Sequence, residues 1–322
     1  MMSVATTCIV SCFLLSGCNG QKQIDSSTIE YINLKEDVHL EDNTTSPTCK
    51  MTIDYAYLAE KNGNDTIAHK INHTVQSTIL GKKYAEMKPQ AAIDSFKNVY
   101  VREYRNSVAD LYKEDVKNGT SKDELPSWYN YEYSLTTQFK DGKEGVLNYT
   151  AVTFEYSGGA HPNQWENWLN FDKNTGKRLT LKDVFMAGSE TPMSKMLLEK
   201  LIKEMATKLD NSNIQSLEDL QNEGILNSTN MYVPDNFLLE KNEASFLYFI
   251  YVPPLRVVTV SLSISVCDEL FSALYKSSRF LLSEYSIQKT LSLYLLVTVG
   301  ELSVFTLYVL FFVLFIVVFS LS

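Results

Sequence analysis

The side chains best suited to acid–base or metal chemistry are histidines, and two of them, His69 and His73, stand four residues apart. In a helix this spacing places both imidazoles on one face, as in zinc enzymes. The zinc motif His-Glu-x-x-His has a glutamate directly after the first histidine, and Lys70 occupies that position here. The pattern therefore favours two surface histidines over a metal site, and we predict neither a metal nor another cofactor.

A second candidate is the loop 157–163, which reads Ser-Gly-Gly-Ala-His-Pro-Asn. An imidazole titrates near neutral pH, so His161 could act as a general base. No serine or cysteine nucleophile stands in a recognisable context nearby, which favours a structural turn made by Gly158, Gly159 and Pro162. We predict no catalytic residue, and we keep His161 as a candidate ligand-binding residue because functional groups are often placed on such loops.

Aromatic side chains offer a different chemistry, the stacking of a flat ring on a sugar or on a protein partner. Trp165 and Trp168 are three residues apart in a predicted strand, so they point to opposite faces of a sheet. At most one of them belongs to a core, and both are candidate ligand-binding residues. Three tyrosines alternate in an earlier strand, and their common face is equally consistent with a core and with a binding surface: Tyr129, Tyr131 and Tyr133.

The N-terminus carries a lipid-attachment signal. A short apolar run ends in Leu15-Ser16-Gly17-Cys18, which matches a bacterial lipobox, although no Lys or Arg precedes the run. We therefore expect a signal peptide at 1–17, lipid on Cys18 and a disordered tether over 18–48. This predicts a cell-envelope protein held to a membrane by its lipid, on the outer side of the cytoplasmic membrane or in the outer membrane.

The C-terminal segment 255–322 has a different composition from the rest of the chain. Residues 302–322 carry no charge and are long enough to span a membrane as a helix. The flanking basic residues Lys276, Arg279 and Lys289 would then lie on the outer side, against the rule that positive residues stay inside. We interpret this tail as the product of a shifted reading frame or as a pseudogene end; a genuine membrane anchor is the alternative.

Composition limits the class of protein and its architecture. With 38 acidic and 29 basic residues the chain has a net charge of -9, which argues against nucleic acid as a partner. Strands with a period of two are interrupted by two long amphipathic helices, one after Pro89 and one over about 191–209, and a short helix is expected over 67–80. Hairpin turns join several strands. We predict an α+β fold with antiparallel sheets, each packed with a long helix, in two consecutive small domains at 49–128 and 129–254.

The middle of the chain resembles a known pair of envelope domains. The resemblance rests on four motifs: the loop 157–163, the stretch Asn170-Phe-Asp-Lys-Asn-Thr-Gly-Lys177, the stretch Leu179-Thr-Leu-Lys-Asp-Val-Phe185, and Asn236-Phe-Leu-Leu. They resemble the extracytoplasmic domains of unknown function in the RsiV anti-sigma factor and beside the catalytic domain of the PdaC peptidoglycan deacetylase, a DUF4163-like domain followed by a DUF3298-like one. After Val252 the chain departs from the pattern, so we expect an incomplete second domain.

The resemblance implies a non-catalytic binding or sensing module for cell-wall glycan (peptidoglycan) or for a protein such as lysozyme. One alternative is an enzyme acting on cell-wall carbohydrate, a hydrolase or deacetylase. Such an enzyme needs paired carboxylates or a metal cluster converging in one pocket. The other alternative is an integral membrane protein that uses the C-terminal span.

Overall fold

The computed structural model describes residues 28–41, 43–60, 65–121, 124–226, 230–252 and 256–265. The predicted signal peptide, Cys18 and the apolar segment 302–322 lie outside these ranges. Contacts divide the described chain into two compact units. The first contains the residues up to Arg178 together with Asn236–Lys241, and the second contains Leu179–Asp235 and the residues from Asn242 onward.

A six-stranded sheet with the order β1-β2-β3-β4-β5-β6 organises the first unit. The pairs β1–β2, β3–β4 and β4–β5 are antiparallel, whereas β2 and β3 run parallel. The strands are β1 (Ile29–His39), β2 (Thr48–Leu58), β3 (Tyr131–Asp141), β4 (Val146–Tyr156), β5 (Asn163–Asp172) and β6 (Arg178–Leu179). The α+β prediction is confirmed, but the parallel pair departs from the wholly antiparallel sheets that we expected.

The parallel pair also moves the expected domain boundary. A boundary near residue 128 would separate β2 from β3, yet these strands are hydrogen-bonded neighbours, with Cys49 opposite Tyr131. The helices α1 (Thr66–Ile79) and α2 (Pro89–Lys117) connect them. A parallel connection needs such a crossover, because the chain must return to the end of the sheet at which β2 began.

The prediction of a disordered tether over 18–48 is wrong for the residues that form β1. Residues 29–39 were expected to be disordered as part of 18–48, but they pair with all of β2, from Ile29 opposite Leu58 to His39 opposite Thr48. The polar composition of this segment reflects an edge strand whose outward side chains meet solvent. Ile32 on the other side is buried in the core.

Helices α1 and α2 cover one face of the sheet and form the core of the first unit with it. Asp65 caps α1, and its carboxylate accepts hydrogen bonds from the backbone of Ile67 and Ala68. Pro89 starts α2 at a position where its missing N–H costs nothing. The core joins helix and strand side chains, among them Ile71, Val75, Ile93, Tyr104, Val108, Met51, Ile53, Tyr55, Leu135 and Tyr149.

The second unit contains α3 (Leu181–Val184), α4 (Glu190–Lys208), α5 (Leu217–Asn222) and the antiparallel strands β8 (Glu243–Val252) and β9 (Arg256–Ser265). Helix α4 packs against β9. The alternation of apolar and polar residues over 178–185 is typical of a strand, but the strand β6 ends at Leu179. Thr180 and Asp183 form a reciprocal capping box that starts α3 there instead.

The expectation that the second domain lacks its last strand is wrong, because β9 lies beside β8. Residues 256–265 pair with β8 along its length, and Val260, Leu262 and Ile264 are buried. The remaining short strand, β7 (Phe237–Leu239), belongs to the first unit. Across the ranges that the structure describes, no helix is both long and apolar enough to cross a membrane.

Candidate functional site

The histidine pair on α1 does not converge on a common ligand position. His69 contacts Glu60 through Nδ1 at 3.2 Å, and His73 contacts Glu86 through Nε2 at 3.1 Å. Each imidazole therefore has its own carboxylate partner at the surface. Within the described part of the chain, no group of three His, Cys, Asp or Glu side chains is placed to hold a metal ion.

The loop between β4 and β5 is a turn around one constrained glycine. Gly158 has a φ of 83°, in the region that glycine favours, and a Cβ added there would lie 2.7 Å from the carbonyl oxygen of Trp128. Gly159 does not share this φ, and a Cβ there would meet only the carbonyl oxygen of His161 at 3.7 Å. His161 and Pro162 are exposed at the loop surface.

The two tryptophans of β5 lie on opposite faces of the sheet. Trp165 is opposite Thr153, whose buried side chain points to the helix-covered face, and Trp168 is opposite Thr150 on the other face. Both rings are half-buried. The Nε1 of Trp168 donates a hydrogen bond to the Glu166 carboxylate at 3.2 Å, which orients the ring. The candidate residues His161, Trp165 and Trp168 thus share no single surface.

The alternating tyrosines Tyr129, Tyr131 and Tyr133 were equally consistent with a core and with a binding surface. The structure places them on the side of the core. Tyr129 and Tyr133 are buried, and Tyr131 packs against Tyr104 with ring centroids 5.0 Å apart. Burial raises the pKa of Tyr129 to about 12, and its hydroxyl donates to the Asp115 carboxylate at 2.8 Å. These rings join α2 to the sheet and are not available to a ligand.

The sheet face away from the helices carries exposed polar side chains on β1–β3, and we call it the open face. It is defined on β1–β3 by the exposed side chains of Asn33, Lys35, Asp37, Lys50, Thr52, Glu132, Thr136 and Gln138, and on β4–β5 by the half-buried rings of Phe154, Tyr156 and Trp168. The register sets these groups side by side: Glu132 is opposite Tyr156, and Ser134 is opposite Phe154. Side chains paired in this way are about 5 Å apart at Cβ.

Sequence reasoning found Trp168 but missed Phe154 and Tyr156 on the same face of the sheet. The strict alternation along β4 was the available signal, since it places Thr150, Val152, Phe154 and Tyr156 on one side. The alternation does not show which side of the strand the helices cover, because the covered side depends on the pairing of β4 with β3 and β5.

Two motif asparagines have a structural role. The side chain of Asn170 donates to the carbonyl oxygen of Phe237 at 2.8 Å and accepts from the N–H of Leu239 at 2.7 Å. Asn236 accepts from the N–H of Trp168 at 2.7 Å and donates to the carbonyl oxygen of Glu166 at 2.9 Å. These bonds attach β7 to β5, so the separated motifs Asn170-Phe-Asp and Asn236-Phe-Leu-Leu are linked in space.

The described chain is an α+β protein whose fold is similar to that of known structures. A crystal structure of a DUF3298 family member from Bacteroides fragilis matches with a TM-score of 0.64 and 23% identity, over 76% of this chain and 93% of that one. A DUF3298 family protein from Pseudomonas aeruginosa matches with a TM-score of 0.46 and 15% identity, over 76% and 95% of the two chains. No family model and no curated protein sequence matches the chain.

At this level of identity the likeness establishes the fold. It supports the DUF3298-like part of the expected resemblance. The DUF4163-like pairing and the resemblance to RsiV and PdaC stay predictions.

Proposed function

We propose that the protein is a lipid-anchored cell-envelope component that binds cell-wall glycan, without converting it, through the open face of its six-stranded sheet. The observation that carries the proposal is the composition of this face. Exposed hydroxyl, amide and charged side chains on β1–β3 continue into the aromatic rings of Phe154, Tyr156 and Trp168 on β4 and β5.

A glycan strand presents hydroxyl and amide groups at its rim and C–H groups on its ring faces. The first need hydrogen-bond partners, and the second stack on aromatic rings. The open face offers both, with Glu132 opposite Tyr156 and Ser134 opposite Phe154. Its charges also alternate in sign across the strands, from Asp37 to Lys50 to Glu132, so a neutral polymer meets no field of one sign.

Co-sedimentation of the full-length chain with insoluble peptidoglycan tests the proposal. Thr136 is exposed at the middle of the open face, so Thr136→Arg places a bulky side chain across the surface, and we expect the bound fraction to fall at least fivefold. Thr78→Arg makes the same exchange at an exposed position of α1 and should bind like the wild type. Equal binding by all three proteins would refute the open face as the site.

A lysozyme pull-down with the same proteins separates the two classes of partner. Capture of lysozyme without binding to peptidoglycan would replace the glycan proposal by a protein-binding function. Release of soluble sugar or acetate from peptidoglycan would instead support the enzymatic alternative.

The anchoring part of the proposal rests on the lipobox Leu15-Ser16-Gly17-Cys18. In a bacterial host, radioactive palmitate should label the wild-type protein and not Cys18→Ala. The unlabelled variant should also leave the membrane fraction. Retention of Cys18→Ala in the membrane would favour the alternative of an anchor in 302–322.

A further inference from the structure

A basic groove lies between α2 and β1 in the first unit, on the helix-covered side of the sheet. Its cavity volume is about 370 Å³. Two adjacent rows of α2 side chains line it, with residues at spacings of four: Lys97, Val101 and Arg105 in one row, and Asn98, Arg102 and Asn106 in the other. Glu36 of β1 is the acidic residue among the lining side chains.

The charges of the groove do not cancel. Lys97 Nζ is 3.0 Å from Glu36 Oε2, so these two form an ion pair. Arg102 and Arg105 are exposed, and neither forms a hydrogen bond or ion pair with another residue of the described ranges. Two of the five arginines of a chain with net charge -9 thus stand three residues apart in one concave site.

We propose that this groove binds an anionic ligand of monosaccharide size through a carboxylate or phosphate group held by Arg102 and Arg105. A guanidinium presents a planar fork of N–H donors that matches both anions, and it remains charged at every physiological pH. The side chains of Asn98 and Asn106 flank the arginines and can bond hydroxyl groups of the same ligand.

The groove is separate from the surface in the proposed function. Glu36 alternates with Lys35 and Asp37 along β1, so it points to the helix side while they belong to the open face. The two sites can therefore be tested independently, and this inference stands without the glycan proposal.

Three sugars that differ in one group provide the test: glucuronate, glucose 6-phosphate and glucose. Each is titrated into the full-length chain while the Nε–H resonances of the arginines are followed. We expect saturable shifts of Arg102 and Arg105 with the two anions and none with glucose, and binding should weaken as salt is added. Anions that bind no better than glucose would overturn the inference.

Variants test whether the guanidinium groups of Arg102 and Arg105 are responsible for anion binding. Arg102→Gln combined with Arg105→Gln should weaken binding of both anions about a hundredfold, and Arg102→Lys, which keeps the charge, about tenfold. Arg178→Gln removes an exposed arginine elsewhere and should leave affinity unchanged. If Arg178→Gln weakens binding as much as the double variant, the attraction is non-specific and the groove is no site.

Discussion

The side-chain amide of Asn72 makes both hydrogen bonds that a neighbouring strand would make to Leu58. Its Nδ2 donates to the Leu58 carbonyl oxygen at 2.8 Å, and its Oδ1 accepts from the Leu58 N–H at 2.9 Å. Both residues are buried, at the end of β2 where α1 crosses it. A side chain of α1 thus provides the hydrogen bonds that the backbone of β2 would otherwise lack at its end. This contact holds α1 against the sheet.

Replacement of Asn72 should therefore be costly. Asn72→Ala leaves a donor and an acceptor of Leu58 buried without partners, and we expect the free energy of unfolding to fall by about 2–4 kcal/mol. Asn72→Asp keeps the acceptor but buries a carboxylate, so its loss should be at least as large. Urea unfolding measures both. The control Asn163→Ala, at an exposed position of β5, should change stability by less than about 0.5 kcal/mol.

The two adjacent glycines of the β4–β5 loop should respond differently to alanine. Gly158→Ala forces a Cβ into a positive φ and to 2.7 Å from the Trp128 carbonyl oxygen, so we expect a loss of about 1–3 kcal/mol. Gly159→Ala meets no such contact and should be nearly neutral. Thermal melts of the two variants give the comparison. Equal losses would show that the loop does not depend on the backbone conformation of Gly158.

Stability should decrease at alkaline pH, beginning with Cys49. Burial raises the pKa of this thiol from 9.0 to about 12, with Arg105 opposing the shift and Glu36 reinforcing it. Because the folded state holds the proton more tightly, its contribution is complete below about pH 9 and is lost as the pH rises toward 12. Urea unfolding at successive pH values measures this decline.

Tyrosines also contribute to the loss of stability at alkaline pH. The hydrogen bond from Tyr57 to the Glu30 carboxylate raises the pKa of Tyr57 from 10.0 to about 12. In Cys49→Ala the onset of the decline should therefore move from about pH 9 to about pH 10. An unchanged onset would show that the thiol is not its first cause.

Local patterns predicted most elements correctly. The period of two along Val146–Tyr156 coincides with β4, and the helix expected after Pro89 is α2. The errors fall where a distant partner decides the structure. The polar segment 29–39 becomes a strand only because β2 offers it a complete ladder, and β9 is ordered by β8 in the same way.

The candidate site shows the same limit. Trp165 and Trp168 could be assigned to opposite faces from their spacing, because side chains alternate along any strand. The spacing does not say which face the helices cover. The sequence likewise does not indicate Arg102 and Arg105 as binding residues, because the groove around them forms only when β1 lies beside α2.

The sequence by itself determined the α+β class, the long helices and the chemistry available at the lipobox, the glycine loop and the tryptophans, since these depend on neighbours within one turn or strand. Only the tertiary structure decided that β2 and β3 pair in parallel, that one sheet runs through the expected domain boundary and which of its faces the helices cover. Strand pairing joins backbone groups that are far apart in the chain, and no local preference encodes which partner they find.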